Sequence, residues 1–344
     1  MLSDRDCDRL ANFQLPASVP VKASLRSEGE LKPFGYTGSK SQILSLIYDR
    51  IGEHTVFVDA FGGSGIVSLS KSVSPVEVYN DASPDLVNLM RVLRDEASFT
   101  AFKDALPSPS SDFFQDYQLS LLKYGLIASR ANTRKRTVRT EVQDFHASNK
   151  SKITCDVLVG SYEYADPVGM AAAYFIIQIM APFRRGMDYR STAVKKGITN
   201  NAATFKNRDK LVSRLDAIHA RLANIILLNT ADFSALIARF GSPETTFYLD
   251  PPYLPETRVT SKQGDYGHEM RYEDHDRLIS YLLKNFPTNG QAMISGYPSK
   301  LYGRLEDDKW SYSSRQVQYG TYKDMEGNTH DTYRRECLWV SPVP

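Results

Sequence analysis

The stretch "TVFVDAFGGSGIVSLSKSV" (residues 55–73) joins a short apolar, β-branched run to a helical pattern through a turn that contains three glycines. A run of this length that ends in a glycine-rich turn is typical of a buried strand followed by a helix. Glycine permits positive φ and lets a ligand approach the backbone. The turn has neither the GxGxxG spacing of a dinucleotide site nor the Gly-Lys-Ser/Thr of a P-loop. By itself it suits a ligand-binding loop and a tight strand-to-helix connection equally well.

Strand and helix patterns alternate on both sides of this stretch. "VEVYND" (76–81) predicts a second strand, and "DLVNLMRVLRDEASFTAFKDAL" (85–106) predicts one long helix. Further along, the patterns predict helices over 208–223 and 275–286 and strands over 225–230, 245–250, 291–297 and 335–341. Such alternation predicts an α/β fold with a doubly wound, mostly parallel sheet. Ligands bind such sheets at the carboxyl ends of strands, near the topological switch point.

The charge of the chain is unevenly distributed. The 344 residues carry a net charge of +2, but residues 123–214 hold 17 lysines and arginines against 7 acidic residues, which leaves the remainder acidic. Two basic runs lie in this segment, "SRANTRKRTVRTE" (129–141) and "PFRRGMDYRSTAVKKG" (182–197). Either run alone could be a solvated loop. Two runs within one insert favour a surface that faces a nucleic acid.

The positions of the cysteines and the hydropathy of the chain indicate its cellular compartment. Cys7, Cys155 and Cys337 are scattered without a CxxC pair or a metal-ligand spacing, so we expect free thiols in a reducing compartment and no metal. The N-terminal "MLSDRDCDRL" lacks the apolar core of a signal peptide, and no apolar run approaches the roughly 18 residues of a membrane span. These features predict a cytoplasmic protein.

Two predicted strands end in acidic residues with chemical meaning. Asp81 ends the second strand about twenty residues after the glycine turn, where doubly wound folds place an acid that binds ribose hydroxyls. It could equally cap the helix that follows.

"TTFYLDPPYLPET" (245–257) ends a strand in an acid, two prolines and Tyr253. The prolines fix φ and leave carbonyls free to accept, and Asp250 adds an acceptor beside a flat ring. The group suits a planar –NH2 ligand; the alternative is a turn with a capping Asp.

Together these motifs resemble the Dam-type N6-adenine DNA methyltransferases (D12 class, group alpha). The stretches resemble, in the family's order, its cofactor methionine motif, glycine loop, ribose-binding acid, adenine-packing strand end and catalytic motif. They are "PFGYTGSKSQI" (33–43), "FVDAFGGSG" (57–65), "VYNDASPDLVNLM" (78–90), "NTADFSAL" (229–236) and "DPPY" (250–253). The resemblance reaches from residue 31 nearly to the C-terminus.

The resemblance implies a Rossmann-like methyltransferase sheet with an inserted, mostly helical target-recognition domain. It divides the chain into an N-terminal extension (1–30), a catalytic domain that binds S-adenosylmethionine (31–106 and 215–344) and a target-recognition domain (107–214). The implied activity is site-specific transfer of a methyl group from S-adenosylmethionine to N6 of an adenine flipped out of double-stranded DNA. The protein is expected to act as a monomer or homodimer.

The resemblance also implies roles for individual residues. The catalytic residues are Asp250, Pro251, Pro252 and Tyr253. The cofactor residues are Tyr36, Lys40, Asp59, Phe61, Gly62, Gly63, Ser64, Gly65, Asp81, Asp232 and Phe233. Candidate DNA contacts from the basic runs are Arg130, Asn132, Arg134, Lys135, Arg136, Arg139, Arg184, Arg185 and Tyr189.

The chain departs from the family pattern in places. Typical members have Trp where Tyr36 stands and Glu-Pro where Asp59-Ala60 stand. Their familiar segment rich in Arg, Tyr, Asn and Gly is replaced by 182–197, so no recognition sequence is assigned. An RNA base-amine methyltransferase and a catalytically silent DNA-binding regulator on the same fold remain alternatives. A nicotinamide oxidoreductase is disfavoured, because GxGxxG is missing.

Overall fold

The computed structural model describes residues 2–35, 38–107, 119–120, 158–160, 164–180, 208–257, 270–323 and 329–343. Within these ranges a seven-stranded sheet forms the centre of the protein. Its strands are β1 (Val56–Asp59), β2 (Val76–Asn80), β3 (Ile225–Leu228), β4 (Thr245–Leu249), β5 (Gln291–Gly296), β6 (Ser311–Lys323) and β7 (Thr329–Val340). They lie in the order β3-β2-β1-β4-β5-β7-β6.

The first five strands are parallel, and β7 pairs antiparallel with both β5 and β6. The predicted, mostly parallel sheet is therefore confirmed. From β1 the chain moves outward to β2 and β3, then returns to place β4 on the other side of β1. This reversal puts the topological switch point between β1 and β4, whose carboxyl ends are adjacent. Asp59 and Asp250 lie at these two ends.

Helices cover both faces of the sheet. Those described are α1 (Asp4–Ala11), α2 (Leu44–Arg50), α3 (Ile66–Ser70), α4 (Pro84–Arg94), α5 (Glu96–Ala105), α6 (Pro167–Met180), α7 (Arg208–Leu222), α8 (Phe233–Phe240), α9 (Tyr272–Asn285) and α10 (Lys300–Asp307). Two short 3₁₀ helices span Lys40–Ile43 and Pro255–Thr257. In the described ranges none of these helices is long and apolar enough to cross a membrane.

Alternate residues of each strand enter different hydrophobic cores. Val58 and Phe247 pack with α8, α9 and α10 on one face of the sheet. Phe57 and Tyr248 pack with α2 and α3 on the other face, where α4 to α7 extend the cover over β2 and β3. Because parallel strands are buried on both faces, they read as continuous apolar runs, which explains why sequence alone located them.

The single helix predicted over 85–106 is wrong, since α4 and α5 are separate helices. The break lies at Asp95, whose backbone is extended (φ −82°, ψ 124°). Its side chain accepts a hydrogen bond from the amide of Ser98 at 2.9 Å and so caps α5. An N-cap within a continuous apolar period is easily missed, because both helices face the same core.

Helix α6 lies within the segment 107–214 predicted as the target-recognition domain, yet it is deeply buried. Ala171 and Phe175 are fully buried, and the helix packs against α4 and α5 in one hydrophobic cluster. Asn88 on α4 also donates a hydrogen bond to the carbonyl of Pro167 at 2.9 Å. This part of the segment therefore belongs to the hydrophobic core beside the sheet. The two basic runs lie outside the described residues.

Helix α1 at the N-terminus is hydrogen-bonded to the edge strand β3 and ion-paired with α4. Asp6 on α1 is fully buried and pairs with the Arg94 guanidinium at 2.5 and 2.9 Å. The same carboxylate accepts a hydrogen bond from the amide of Leu227 at 3.0 Å, on the edge strand β3. Capping an open edge in this way satisfies a backbone donor that would otherwise be available to another strand.

The cysteines differ from the expectation at one position. Cys337 is a buried free thiol on β7. Cys7 on α1, by contrast, takes part in a disulfide. The expectation of free thiols is therefore wrong for Cys7, and Cys155 lies outside the described residues.

Candidate active site

Asp59 lies at the centre of the switch point. Its side chain is only 1% exposed, and Ser68 Oγ donates a hydrogen bond to Oδ2 at 2.8 Å. The other oxygen, Oδ1, is buried and accepts no hydrogen bond of normal geometry from the described residues. Burial raises the pKa of Asp59 to about 7, and the nearby charges of Asp250 and Asp81 add to this shift. An acid in this state favours a cationic ligand, which would satisfy Oδ1 and stabilise its charge.

The glycine turn between β1 and α3 is constrained at each glycine. Gly63 and Gly65 have φ of 52° and 72°, values that residues with a Cβ rarely adopt. A Cβ on Gly62 would lie 2.1 Å from the Tyr79 ring, so only glycine fits against this ring. Ser64 is buried and Phe61 is partly buried. The turn therefore brings the backbone close to the end of β2, as a cofactor loop requires.

Asp81 organises the glycine turn and the bend before α4, whose N-cap residue is Ser83 and not Asp81. Its Oδ1 accepts from the amide of Ser83 at 2.7 Å, directly before α4. Its Oδ2 accepts from the amide of Gly63 at 2.9 Å. The side chain remains partly exposed, and a carboxylate oxygen can accept more than one hydrogen bond. Asp81 can thus hold the turn and still accept from ligand hydroxyls.

Lys40 reaches the acid that follows β4. Its Nζ lies 2.7 Å from Asp250 Oδ2 and donates to the carbonyl of Gly38 at 2.6 Å. The side chains of Lys40 and Asp250 are only 3% and 19% exposed. Burial raises the pKa of Asp250 to about 6, and the positive charge of Lys40 acts in the opposite direction. Sequence reasoning placed Lys40 near the cofactor but did not foresee this ion pair.

The two prolines after Asp250 are not equivalent. The carbonyl of Pro252 is engaged by the ring of His275, whose Nε2 lies 2.9 Å away. His275 is fully buried on α9, and its Nδ1 lies 3.0 Å from the hydroxyl of Tyr302. The expectation that both proline carbonyls are free is therefore wrong for Pro252. His275 anchors the motif to α9, a role that the sequence did not reveal.

Tyr253 is held from several sides. Its side chain is 6% exposed, and its hydroxyl donates to Glu336 Oε2 on β7 at 2.5 Å. Its ring meets that of Tyr297 in a T-shaped contact, with centroids 4.5 Å apart. Lys40 Nζ lies over the ring, 4.9 Å from its centroid. The ring and the Asp250 carboxylate thus share one cationic neighbour.

Asp232 and Phe233 lie at the end of β3, where α8 begins. Asp232 caps α8 by accepting from the amide of Ser234 at 2.9 Å and from its hydroxyl. Phe233 is buried and packs edge-on against Tyr281, with centroids 5.7 Å apart. Their roles toward a cofactor stay a prediction, and the observed contacts are those of a helix start.

Comparison with known proteins decides the family. Residues 36–319 match the family described as D12 class N6 adenine-specific DNA methyltransferase. The chain belongs to this D12 class. The match begins at the motif that contains Lys40 and includes Asp250 and Tyr253. It ends before β7, so Glu336 lies outside it.

Two curated relatives are similar to this D12-class chain at low identity. The Modification methylase LlaI of Lactococcus lactis subsp. lactis is 21% identical over 78% of the chain and 37% of its own length. The DNA N-6-adenine-methyltransferase of Escherichia phage P1 is 23% identical over 81% of the chain and 31% of its own length. The chain thus spans about a third of the length of these relatives.

The structure brings most of the predicted D12 motif residues together at the carboxyl edge of the sheet. Tyr36 lies outside the described residues, as do all nine candidate DNA contacts. Of the residues that the sequence did not indicate, His275, Glu336 and Tyr297 contact the Asp250–Tyr253 motif directly. No local pattern marked them, because each acts through a tertiary contact. Among the described side chains, no group of three or more His, Cys, Asp or Glu could hold a metal ion.

Proposed function

We propose that this chain is a site-specific DNA methyltransferase that transfers a methyl group from S-adenosylmethionine to N6 of an adenine. Membership of the D12 class supports the reaction type. The observation that carries the proposal is the position of Asp250, a mostly buried acceptor at the switch point, beside Tyr253 and one strand away from Asp59. Ligand sites of doubly wound sheets occur at this position.

The acidic strand ends suit S-adenosylmethionine. When bound, this cofactor supplies a methyl group already activated by its positively charged sulfonium. Asp59, Asp81 and Asp250 lie close enough for two of these charges to raise the pKa of the third. Asp59 Oδ1 is a buried acceptor suited to an ammonium donor, and the partly exposed Asp81 is suited to ribose hydroxyls. Lys40, the glycine turn and Asp232 complete the edge of this site.

Asp250 acts on the target base. As a carboxylate it accepts a hydrogen bond from the N6 amine, which orients the nitrogen and raises its electron density. A protonated Asp250 is a poorer acceptor, so the residue must be ionised to perform this step. Its raised pKa of about 6 still leaves it mostly ionised at neutral pH. The chain positions the reacting groups, and no covalent intermediate with the protein is needed.

Lys40 occupies the position proposed for the N6 amine of the target adenine. Its ammonium donates to Asp250 and lies over Tyr253, which are the two contacts proposed for the adenine N6 and ring. An entering base must therefore displace Lys40 from the Tyr253 ring or share Asp250 with it. Stacking of the base on this tyrosine contributes roughly 1–3 kcal/mol. This helps to offset the cost of flipping the base out of the duplex, a few kcal/mol.

Duplex DNA is the proposed partner. The names of both relatives specify DNA or a modification methylase, and the basic runs of residues 129–141 and 182–197 supply positive charge for phosphates. RNA remains the second candidate substrate, since an acceptor beside a ring suits any exocyclic amine. We assign the protein to the cytoplasm, as a monomer or homodimer.

The test is single-turnover transfer of radiolabelled methyl from S-adenosylmethionine, with DNA and RNA offered separately. Asp250→Ala should lower the rate on the order of 100-fold or more, the scale of a deleted electrostatic contact. DNA affinity should change little, because phosphate contacts dominate it. Glu256→Ala, an exposed acid six residues further on, is the matched control. A near-normal rate in Asp250→Ala would show that Asp250 is only a turn residue.

A further inference from the structure

We propose that Glu336 is a positioning residue for methyl transfer, which holds Tyr253 in the orientation that receives the target base. This inference rests on the proposed function. Glu336 lies on β7 and is separated from Tyr253 by 83 residues. It also lies beyond residue 319, where the match to the D12 class ends. Family membership therefore does not supply this role.

The geometry shows what Glu336 controls. Pro251 and Pro252 stiffen the backbone before Tyr253, but they do not fix the tyrosine side chain. Its hydroxyl lies on the axis about which the ring rotates, so donation to Glu336 Oε2 at 2.5 Å fixes the direction of this axis. The T-shaped contact with Tyr297, at an interplanar angle of 69°, then restricts rotation about it. Glu336 and Tyr297 together define the plane available for stacking.

The sheet makes this support rigid. Cys337, the residue after Glu336, pairs with Gly296 at the end of β5, and Tyr297 follows Gly296 directly. Two residues before Glu336, on the same face of β7, the guanidinium of Arg334 lies 5.1 Å from the centre of the Tyr297 ring. Both restraints on Tyr253 therefore depend on the end of β5 and the strand paired with it.

Electrostatics argue against a role in stability alone. Glu336 is 8% exposed, and its charge faces Asp250 closely enough to raise the pKa of that acid. Burying the Glu336 carboxylate beside that of Asp250 is unfavourable. An apolar residue at position 336 packed against a phenylalanine at position 253 would support the ring without this electrostatic cost. Local arrangements that oppose stability in this way are typical of functional sites.

The test measures single-turnover methyl transfer by the full chain with Glu336→Ala, Glu336→Gln, Tyr253→Phe and the double variant Tyr253→Phe/Glu336→Ala. Glu336→Ala should lower the rate about 10-fold or more, while DNA and S-adenosylmethionine affinities stay within about 2-fold. Glu336→Gln keeps an oxygen acceptor and should retain most of the rate. In the double variant the losses should not add, because both changes remove the same hydrogen bond. Asp331→Asn, an exposed acid on the same strand, is the control.

A pH profile of Glu336→Gln tests the charge coupling between Glu336 and Asp250. The charged and titratable groups that face Asp250 are Lys40, Glu336, Tyr253, Tyr248, Asp59 and Tyr302. Glu336→Gln removes one negative charge, so the acidic limb of the rate profile should move to lower pH. If Glu336→Ala fails to fold, Tyr253→Phe decides the matter, because it removes the same hydrogen bond from the tyrosine side and should also lower the rate about 10-fold.

Three outcomes overturn the inference. The first is a normal rate in folded Glu336→Ala, and the second is additive losses in the double variant. The third, where Glu336→Ala does not fold, is a normal rate in folded Tyr253→Phe. In each of these cases an active wild-type chain leaves the proposed function standing. A wild-type chain that transfers no methyl to DNA or RNA overturns the proposed function and this inference with it.

Discussion

Lys40 and Asp250 form a nearly buried ion pair across the candidate active site, with Nζ and Oδ2 2.7 Å apart. Lys40 opens the 3₁₀ helix of residues 40–43, and Asp250 follows β4 at the switch point. The pair joins the N-terminal motif of the family to its catalytic motif. One cation therefore influences both the protonation of Asp250, the proposed catalytic acid, and access to the Tyr253 ring.

The first prediction concerns Lys40→Met. The positive charge of Lys40 lowers the pKa of Asp250, so its removal should raise this pKa above its present value of about 6. Because the ionised acid is the active form, methyl transfer should fall, and more so at pH 6 than at pH 8. The measurement is a single-turnover rate from pH 5 to 9. Lys32→Met, which removes a more exposed lysine near the same motif, serves as control. An acidic limb at the wild-type position in Lys40→Met would refute the coupling.

The second prediction concerns the stability cost of Asp59. Its folded pKa of about 7 lies above the ordinary value of 3.8 for an aspartic acid, so the folded state binds more protons between these values. Stability from this residue is therefore present below about pH 4 and lost as the pH rises through about 7. Asp59→Asn should stabilise the cofactor-free protein at pH 8 by on the order of 1–4 kcal/mol. It should have little effect near pH 4.

Denaturant unfolding of Asp59→Asn and wild type at pH 4.5, 6 and 8 checks this expectation. Ser68→Ala, which removes the hydroxyl that donates to Asp59, is the companion variant and should destabilise the protein at pH 8. The same Asp59→Asn change should weaken S-adenosylmethionine binding, because it removes a charged acceptor. A variant that is less stable than wild type at every pH would contradict the stated sign.

The third prediction concerns Asp81→Ala. This change removes the proposed acceptor for ribose hydroxyls and also the contacts to the amides of Gly63 and Ser83. S-adenosylmethionine affinity should fall by about 1–3 kcal/mol, the scale of hydrogen bonds to a charged group. Calorimetric titration measures the affinity, and thermal unfolding confirms that the variant is folded. The S-adenosylmethionine affinity of Asp81→Asn should lie between those of wild type and Asp81→Ala, since one oxygen acceptor remains. Unchanged affinity in folded Asp81→Ala would exclude a cofactor role.

The fourth prediction concerns the first basic run. Replacing Arg134, Lys135, Arg136 and Arg139 by Ser should weaken DNA binding and reduce its salt dependence. Each lost phosphate contact should lower the slope of log affinity against log salt by about 0.9. S-adenosylmethionine affinity should be unaffected. Replacing Arg26 and Lys32, which pair with Glu28 and Glu30, is the matched control. If the slope does not change, the run is solvated surface.

Local chemistry explains how much the sequence alone revealed. Strands β1 to β5 were predictable because they are short, mostly apolar runs that are buried on both faces of the sheet. The positive φ of Gly63 and Gly65 follows from the same turn chemistry. The acid and ring of residues 250–253 are adjacent in sequence, so their chemistry could be read without a fold.

Strand β6 and helix α6 show where local patterns were insufficient. β6 is an edge strand in which exposed polar residues such as Gln316 and Gln318 dominate, so its sequence carries little apolar signal. The apolar residues of α6 are visible in the sequence, but the basic runs around it suggested a DNA-facing insert. Only packing against α4 and α5 shows that this helix lies in the core.

The sequence by itself determined the α/β class, the parallel strands and the chemistry of each motif, because these depend on neighbouring residues and a short period. Tertiary structure decided which motifs act on one another. Three contacts join residues of different elements that meet only when the sheet and its helices assemble: Lys40 with Asp250, His275 with Pro252 and Glu336 with Tyr253. The raised pKa of Asp250 arises from the same packing, since a carboxylate loses water only after distant segments have closed around it.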